Sequence, residues 1–323
     1  MSRKPLAEQW RKRLTEFLDL DPARIGTLGA GKNKPTGCVD IAMVQTLGRR
    51  ENLAELLTAY GHIVADECHH VPAVTTELVL RAAPARYITG LTATPHRRDG
   101  HDPIITMQCG PIRHTMQARG ARSPDPLQLR VVRRDTAFDP ATLPTEPSIQ
   151  EIYTALAADD TRTELIANDV RRLTSQGRSP IVLTERREHL DRLRDRLADH
   201  ASTLVALHGD LTAKARRTAL STLANAPDRQ PHVVLATGRY IGEGFDEPRL
   251  DTLLLAMPIA WKGTVVQYAG RLHREYPGKH DALVYDYVDA ELPVLRRMFA
   301  KRLKTYRALG YELTEPWSGQ ATL

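Results

Sequence analysis

The chain alternates short apolar runs with longer amphipathic stretches. Eight runs have strand length and are rich in aliphatic residues: Val39–Val44, His62–Ala65, Tyr87–Leu91, Ile181–Thr184, Leu204–Leu207, Val233–Ala236, Thr252–Ala256 and Ala282–Tyr285. Near-continuous apolar runs suit strands covered on both faces, which predicts a largely parallel sheet. The stretches between them are long enough for crossover helices, so the expected fold class is α/β with repeated βαβ units. Leu292, Leu295, Phe299, Leu303 and Tyr306 recur at helical spacing and predict an amphipathic helix. Its polar side carries Arg296, Arg297, Lys301, Arg302, Lys304 and Arg307. A solvated face is the expectation there, with nucleic-acid contact as the alternative.

One segment breaks this rhythm. Residues 123–147 hold Pro124, Pro126, Pro140, Pro144 and Pro147, and proline opposes both helix interiors and central strands. This predicts an interdomain connection over 119–147, with an edge strand at Leu127–Val132. It leaves an N-terminal unit over 1–118 and a C-terminal unit over 148–323.

Composition narrows the class. Of 323 residues, 41% are apolar and 26% charged, which excludes a disordered tail protein and a disulfide-stapled miniprotein. No run approaches the roughly 18–20 apolar residues that span a bilayer, so no membrane partner is expected. Cys38, Cys68 and Cys109 are odd in number and widely spaced, as suits reduced thiols and a cytoplasmic location. The net charge of +6 permits a polyanionic partner. Residues 1–118 carry 15 Lys and Arg against 12 Asp and Glu, and the remainder carries 30 against 27. A nucleic acid would therefore touch both halves.

Four segments carry candidate chemistry. Ile63-Val64-Ala65 delivers Asp66 and Glu67 at the C-terminal end of a strand, where open α/β sheets bind ligands. Neighbours on an extended chain point to opposite sides, so one acid can hold a hydrated Mg²⁺ while the other orients an attacking water. A solvated helix start is the competing reading. Zinc at Cys68, His69 and His70 is a weak one, since no second Cys or His pair sits at finger spacing. Gly90-Leu91-Thr92-Ala93-Thr94-Pro95 brackets an alanine with two hydroxyls after a strand; an ordinary turn exit looks the same. Thr237-Gly238 through Gly242-Glu243-Gly244-Phe245-Asp246 places three glycines close together, which lets backbone approach backbone or phosphate. Gln267, Arg271 and Arg274 fall on one face of a helix, where arginine forks suit phosphoryl oxygens; a solvated face is the common alternative.

In their order these segments resemble motifs II, III, V and VI of superfamily 2 helicases, in the DExH branch that includes type III restriction subunits. Leu207-His208-Gly209-Asp210 resembles the loop before motif V. Arg3-Lys4-Pro5-Leu6 with Gln9-Trp10 resembles motif Ia, and Met43-Val44-Gln45-Thr46-Leu47 the following nucleic-acid motif. The resemblance implies two RecA-like lobes with mainly parallel sheets, and ATP with Mg²⁺ as cofactors. Asp66 would bind Mg²⁺ and Glu67 would position the hydrolytic water. Arg271 and Arg274 would reach the γ-phosphate, and Asp246, Gly244 and Gln267 would contact the nucleotide. Thr92, Thr94 and His69 would couple nucleotide to nucleic acid. Arg3, Lys4, Gln45, Gly209 and Thr237 would touch nucleic acid, DNA rather than RNA.

Such an enzyme needs a phosphate-binding loop, G-x-x-x-x-G-K-[ST], between a strand and a helix. Gly26-Thr-Leu-Gly29-Ala-Gly31-Lys32-Asn33 comes near the pattern. Asn33 replaces the hydroxyl, and Lys34-Pro35-Thr36-Gly37 opposes a helix, so a Gly-rich turn between two strands is expected instead. The loop is then expected before residue 1, with the first lobe lacking its opening βα portion. An upstream segment or an additional protein subunit would supply it. The leading function is an ATP-dependent helicase or translocase. The alternative is a nucleic-acid-binding fragment or regulatory subunit that does not hydrolyse ATP.

Overall fold

A computed structural model of the chain describes residues 4–29, 31–71, 73–93, 102–115, 127–200, 203–228, 230–238, 245, 247–259 and 262–314. The chain divides into two compact units, residues 1–116 and 117–323. In the first, the order is α1 (Lys4–Leu18), β1 (Ile25–Gly29), β2 (Lys32–Lys34), β3 (Val39–Ala42), α2 (Val44–Leu47), α3 (Leu53–Leu57), β4 (His62–Asp66), α4 (Val74–Arg81), β5 (Tyr87–Leu91) and α5 (Asp102–Cys109). The second runs β6 (Gln128–Asp135), α6 (Ile149–Ala158), α7 (Asp160–Ser175), β7 (Pro180–Thr184), α8 (Arg187–Leu197), β8 (Thr203–Leu207), α9 (Ala213–Ala224), β9 (His232–Thr237), β10 (Thr252–Leu255), α10 (Lys262–Leu272), β11 (Asp281–Val288), α11 (Pro293–Ala308) and β12 (Glu312–Thr314). No helix among the described residues is long and apolar enough to cross a membrane.

The second unit is built on one sheet ordered β12-β6-β11-β10-β7-β9-β8, with every neighbouring pair parallel. Its strands are apolar on both faces because each face has its own core. Ile181 and Leu183 of β7 join one cluster and Val182 the other. On β9, Val234 and Ala236 are divided in the same way from Val233 and Leu235. Each fully buried aliphatic side chain contributes about 1.5–3 kcal/mol, so the sheet centre is the stable part of this unit.

Three features differ from the sequence expectation. Residues 127–132 were expected as an edge strand in a linker. Residues 128–132 belong instead to the eight-residue β6, paired with β12 on one side and β11 on the other. The prolines that suggested a linker flank this strand and do not interrupt it. Arg302 is not on a solvated face of α11. It is 3% exposed, and it forms a bidentate pair with Asp286, with both N···O distances 2.7 Å, and also donates to the Ile259 carbonyl. Tyr306 donates its hydroxyl to the same carboxylate. Finally, the run at Val39 ends as a strand at Ala42, and Val44 opens the short α2.

The first unit holds two small sheets. One is β2-β1-β3, in which β1 is antiparallel to β2 and parallel to β3. The other is the parallel pair β4-β5. In the near-match to a phosphate loop, Thr27, Leu28 and Gly29 of β1 pair antiparallel with Lys34, Asn33 and Lys32 of β2, with Gly29 at φ 117° and Gly31 at φ 81°. Gly26 is required there, since a Cβ would lie 1.7 Å from Asp40 Oδ1. Asp40 fastens the adjoining turn by accepting from the Thr36 and Gly37 amides and from the Tyr60 hydroxyl. Partial burial acts to raise its pKa, but these hydrogen bonds outweigh it and hold the carboxyl below its ordinary value. The segment is thus a pinned turn between strands, as its sequence implied.

β3 and β4 belong to separate sheets, yet both line one cavity of about 480 Å³, roofed by α1 residues Trp10, Leu14 and Leu18. On one face of β4-β5, Ala65 and Ile88 pack with Cys68, Val71, Leu80 and Ile105. On the other, Val64, Tyr87 and Leu91 are exposed. A parallel pair with one bare apolar face departs from the usual burial of parallel strands on both sides.

Candidate nucleotide and nucleic-acid site

β4 carries Asp66 to the C-terminal end of the parallel pair, and the strand stops there because Glu67 turns the chain. Glu67 has φ 52° and ψ 49°, the left-handed region that a non-glycine residue rarely occupies. Its amide donates to Asp66 Oδ1 at 3.0 Å. The two acids therefore diverge through a turn, and the strand pleat does not separate them. Such local backbone cost of about 1–3 kcal/mol is characteristic of functional positions.

Asp66 Oδ2 accepts from the indole N–H of Trp10 on α1 at 2.7 Å. Glu67 Oε2 lies 3.2 Å from His69 Nδ1, close enough to attract a protonated ring. The contact lacks hydrogen-bond geometry, so this buried oxygen has no hydrogen-bond partner among the described residues. His69 Nδ1 is also 2.9 Å from the hydroxyl of Thr92, just beyond β5. Asp66, Glu67, His69 and Thr92 are thus brought together from two segments. Trp10 was missed as a contact of this site: nothing in the spacing shows that α1 returns to the end of β4.

A hydrated Mg²⁺ needs only one or two protein carboxylates when phosphates complete its shell. Asp66 fits that demand, and the Glu67 oxygen without a hydrogen bond stands beside it for a water. Among the described residues no group of three His, Cys, Asp or Glu side chains is placed to hold a metal ion. Cys68 and His69 face different neighbours, Cys109 and Thr92 respectively.

In the second unit Gly209 and Thr237 lie at the C-terminal ends of β8 and β9. Thr237 ends β9 and pairs with Thr184 of β7. Gly238 follows it, buried. A Cβ there would meet Glu185 Oε1 and the Tyr268 hydroxyl, each at 2.6 Å, so glycine permits the approach of α10 to this end of the sheet. Burial pushes the Tyr268 hydroxyl above its ordinary pKa, and Glu185 adds to this. The sequence reading missed Glu185 and Tyr268.

Gly209 follows β8 and is exposed; a Cβ there would meet nothing within 4 Å, so packing within the chain does not demand glycine. Next to it, His208 is buried against Arg187, and burial followed by that guanidinium lowers its pKa. Gln267 and Arg271 lie on α10, but α10 ends at Leu272 and Arg274 lies beyond it. The helical spacing expected for all three therefore holds only for the first pair. Gln45 is exposed on α2, and Lys4 is the first residue of α1. Arg3, Thr94, Gly244 and Asp246 lie outside the described residues.

Two family models match along the chain. The type III restriction enzyme res subunit model covers residues 1–97, and the helicase conserved C-terminal domain model covers residues 162–275. The chain belongs to the superfamily 2 DExH helicases. A probable helicase of Escherichia phage T5 is 23% identical over 318 residues, which is 95% of this chain and 65% of the phage protein. This helicase chain thus spans somewhat less than two thirds of that relative. A DNA 3'-5' translocase of Sulfurisphaera tokodaii is 33% identical over 107 residues, 33% of this chain and 23% of the translocase. Among solved structures, Dbp5 of S. cerevisiae bound to RNA and ADP BeF3 is similar, with TM-score 0.65 and 12% identity over 97% of this chain and 76% of Dbp5. At that identity the likeness carries the fold alone, which is α/β with two RecA-like lobes.

Proposed function

We propose that this helicase chain carries the motor portion of an ATP-dependent translocase or helicase acting on DNA. The observation that supports this most is the buried, unpartnered Glu67 oxygen beside Asp66, linked through His69 to Thr92. Mg²⁺, when bound with ATP, supplies charge neutralisation at the transferring phosphoryl group. Asp66 holds the ion's hydration shell. Glu67 accepts a hydrogen bond from the attacking water and orients it, and His69 relays the position of Glu67 to Thr92. Arg271, Arg274, Gln267, Asp246 and Gly244 contact the nucleotide from the second unit. Arg3, Lys4, Gln45, Gly209 and Thr237 touch the nucleic-acid backbone, while Thr92, Thr94 and His69 couple the two ligands. DNA is favoured over RNA because the archaeal relative that is 33% identical over 107 residues is a DNA translocase. The domains read as a partial ATP-binding lobe over 1–118, a connection over 119–147 and a C-terminal lobe over 148–323, with β6 of the connection built into the C-terminal lobe's sheet.

The phosphate loop is proposed to come from an additional strand–helix segment, upstream or on a separate subunit. The cavity shared by β3 and β4, and the bare face of Val64, Tyr87 and Leu91, support this reading. A chain without that segment would bind nucleic acid and not hydrolyse ATP. The antiparallel pairing of β1 with β2 and the Trp10 contact on Asp66 favour this second reading for the chain alone.

The deciding experiment is ATP hydrolysis by the purified chain with and without single-stranded DNA or RNA. DNA-stimulated turnover that falls at least about 100-fold in Glu67→Gln supports the motor reading. Binding without turnover supports the second. Turnover unchanged by Glu67→Gln overturns the role given to Glu67.

A further inference from the structure

Cys68 and Cys109 have no part in the proposed hydrolysis, yet the fold brings them together from opposite ends of the first unit's site. Cys68 opens the 3-10 turn Cys68–His70 directly after Glu67. Cys109 is the last residue of α5, which ends on Gly110 at φ 79°. Both pack in the cluster of Val71, Leu80 and Ile105. Between them lies Gly90 of β5. A Cβ there would stand 2.9 Å from Cys68 Sγ and 3.0 Å from both Cβ and Sγ of Cys109. Both sulfurs therefore lie within about 3 Å of one point, and glycine leaves the space that they share. Cys68 is buried, Cys109 is partly buried and Cys38 is exposed.

We infer that Cys68 and Cys109 form a reversible dithiol–disulfide site, oxidised by small disulfides of the glutathione class. Two sulfurs held side by side, one reachable from solvent and one not, suit the two steps of thiol–disulfide exchange. In the first, the Cys109 thiolate attacks one sulfur of the small disulfide. A mixed disulfide forms and one glutathione thiolate leaves. In the second, the Cys68 sulfur gives its proton to solvent and attacks Cys109 Sγ, and the second glutathione thiolate leaves. Two protein thiols lose two electrons, and one small disulfide is reduced to two thiols. The hydrogen bond between the thiols lowers the Cys109 pKa, which favours it as the attacking group. The new bond ties the residue after Glu67 to the end of α5. It therefore fixes the turn that carries the proposed water-positioning carboxylate.

The test equilibrates the full chain with reduced and oxidised glutathione, quenches with acid, alkylates, and maps tryptic peptides by mass. The expected result is the loss of the Cys68 and Cys109 alkylation sites through one intramolecular link. The peptide of residues 51–81 is then linked to that of residues 99–113, and the link is removed by dithiothreitol. Cys38, on the peptide of residues 33–49, gains only a mixed disulfide. Cys109→Ser abolishes the link and leaves Cys68 alkylatable. A parallel sample in urea scrambles the pairs, showing that the native pairing depends on the fold. Mixtures that glutathionylate Cys38 while leaving Cys68 and Cys109 both alkylatable overturn the proposal. So does a native product linked through Cys38. Neither readout depends on ATP hydrolysis, so failure here is separable from failure of the motor reading.

Discussion

At the scale of single residues, the site rests on a few side chains whose types the sequence displayed and whose partners it did not. Asp66 and Glu67 were legible because two acids after an apolar run have a short list of uses. Trp10 was not, since it lies 56 positions away and its contact depends on how α1 folds back. Its N–H reaches a carboxylate, and hydrogen bonds to charged groups contribute about 1.5–3 kcal/mol. Trp10→Phe keeps the ring and removes the donor. We expect a loss of that order in urea unfolding, and an unchanged midpoint would show that the contact is not formed in solution. His189 gives a second residue-scale prediction. Burial, then Arg162, Arg192 and Arg196, push its pKa down to about 3. The unfolded chain protonates this histidine near pH 6.5, whereas the folded chain stays neutral down to about 3. Below pH 6.5 the unfolded state therefore binds more protons, and stability falls as pH falls, by up to about 1.4 kcal/mol per pH unit. His189→Gln should flatten the stability profile between pH 6.5 and 5, before carboxylates titrate. A profile as steep as that of the parent chain would refute the assignment.

At the scale of elements, apolar runs located eight strands, and for the central strands of the second unit burial on both faces leaves little choice of residue. Short or amphiphilic elements were read less well. β12, of three residues, escaped, and β6 was read only as a short edge strand because it mixes Arg with Val and only its middle is fully covered. The amphipathic period of α11 was readable, but Arg302 was not, since a charge at a core position signals burial only once Asp286 on β11 is seen beside it. Breaking a buried pair leaves an uncompensated charge and costs about 3–5 kcal/mol, whereas replacing both partners by apolar groups can be neutral. Arg302→Met should lower stability by that amount in denaturant melts, and adding Asp286→Leu should restore part of it. Equal losses for the single and double variants would count against the pair.

At the scale of the whole chain, the +6 charge is shared by both units, and the motor reading places backbone contacts on each. For single-stranded nucleic acid, the logarithm of affinity should fall linearly with the logarithm of salt, with a slope of about −0.7 per phosphate contacted. Filter binding at 50–200 mM salt checks this, and a slope near zero would remove the backbone-contact reading.

The sequence by itself determined the α/β class, the ordered helicase motifs and the residue types at the candidate site. Alternating burial and the demands of phosphate chemistry restrict those choices locally. Tertiary structure alone decided which distant groups meet: Trp10 with Asp66, Glu185 and Tyr268 across Gly238, Arg302 with Asp286, and the two thiols around Gly90. These contacts are set by crossover topology and close packing, neither of which leaves a periodic trace along the chain.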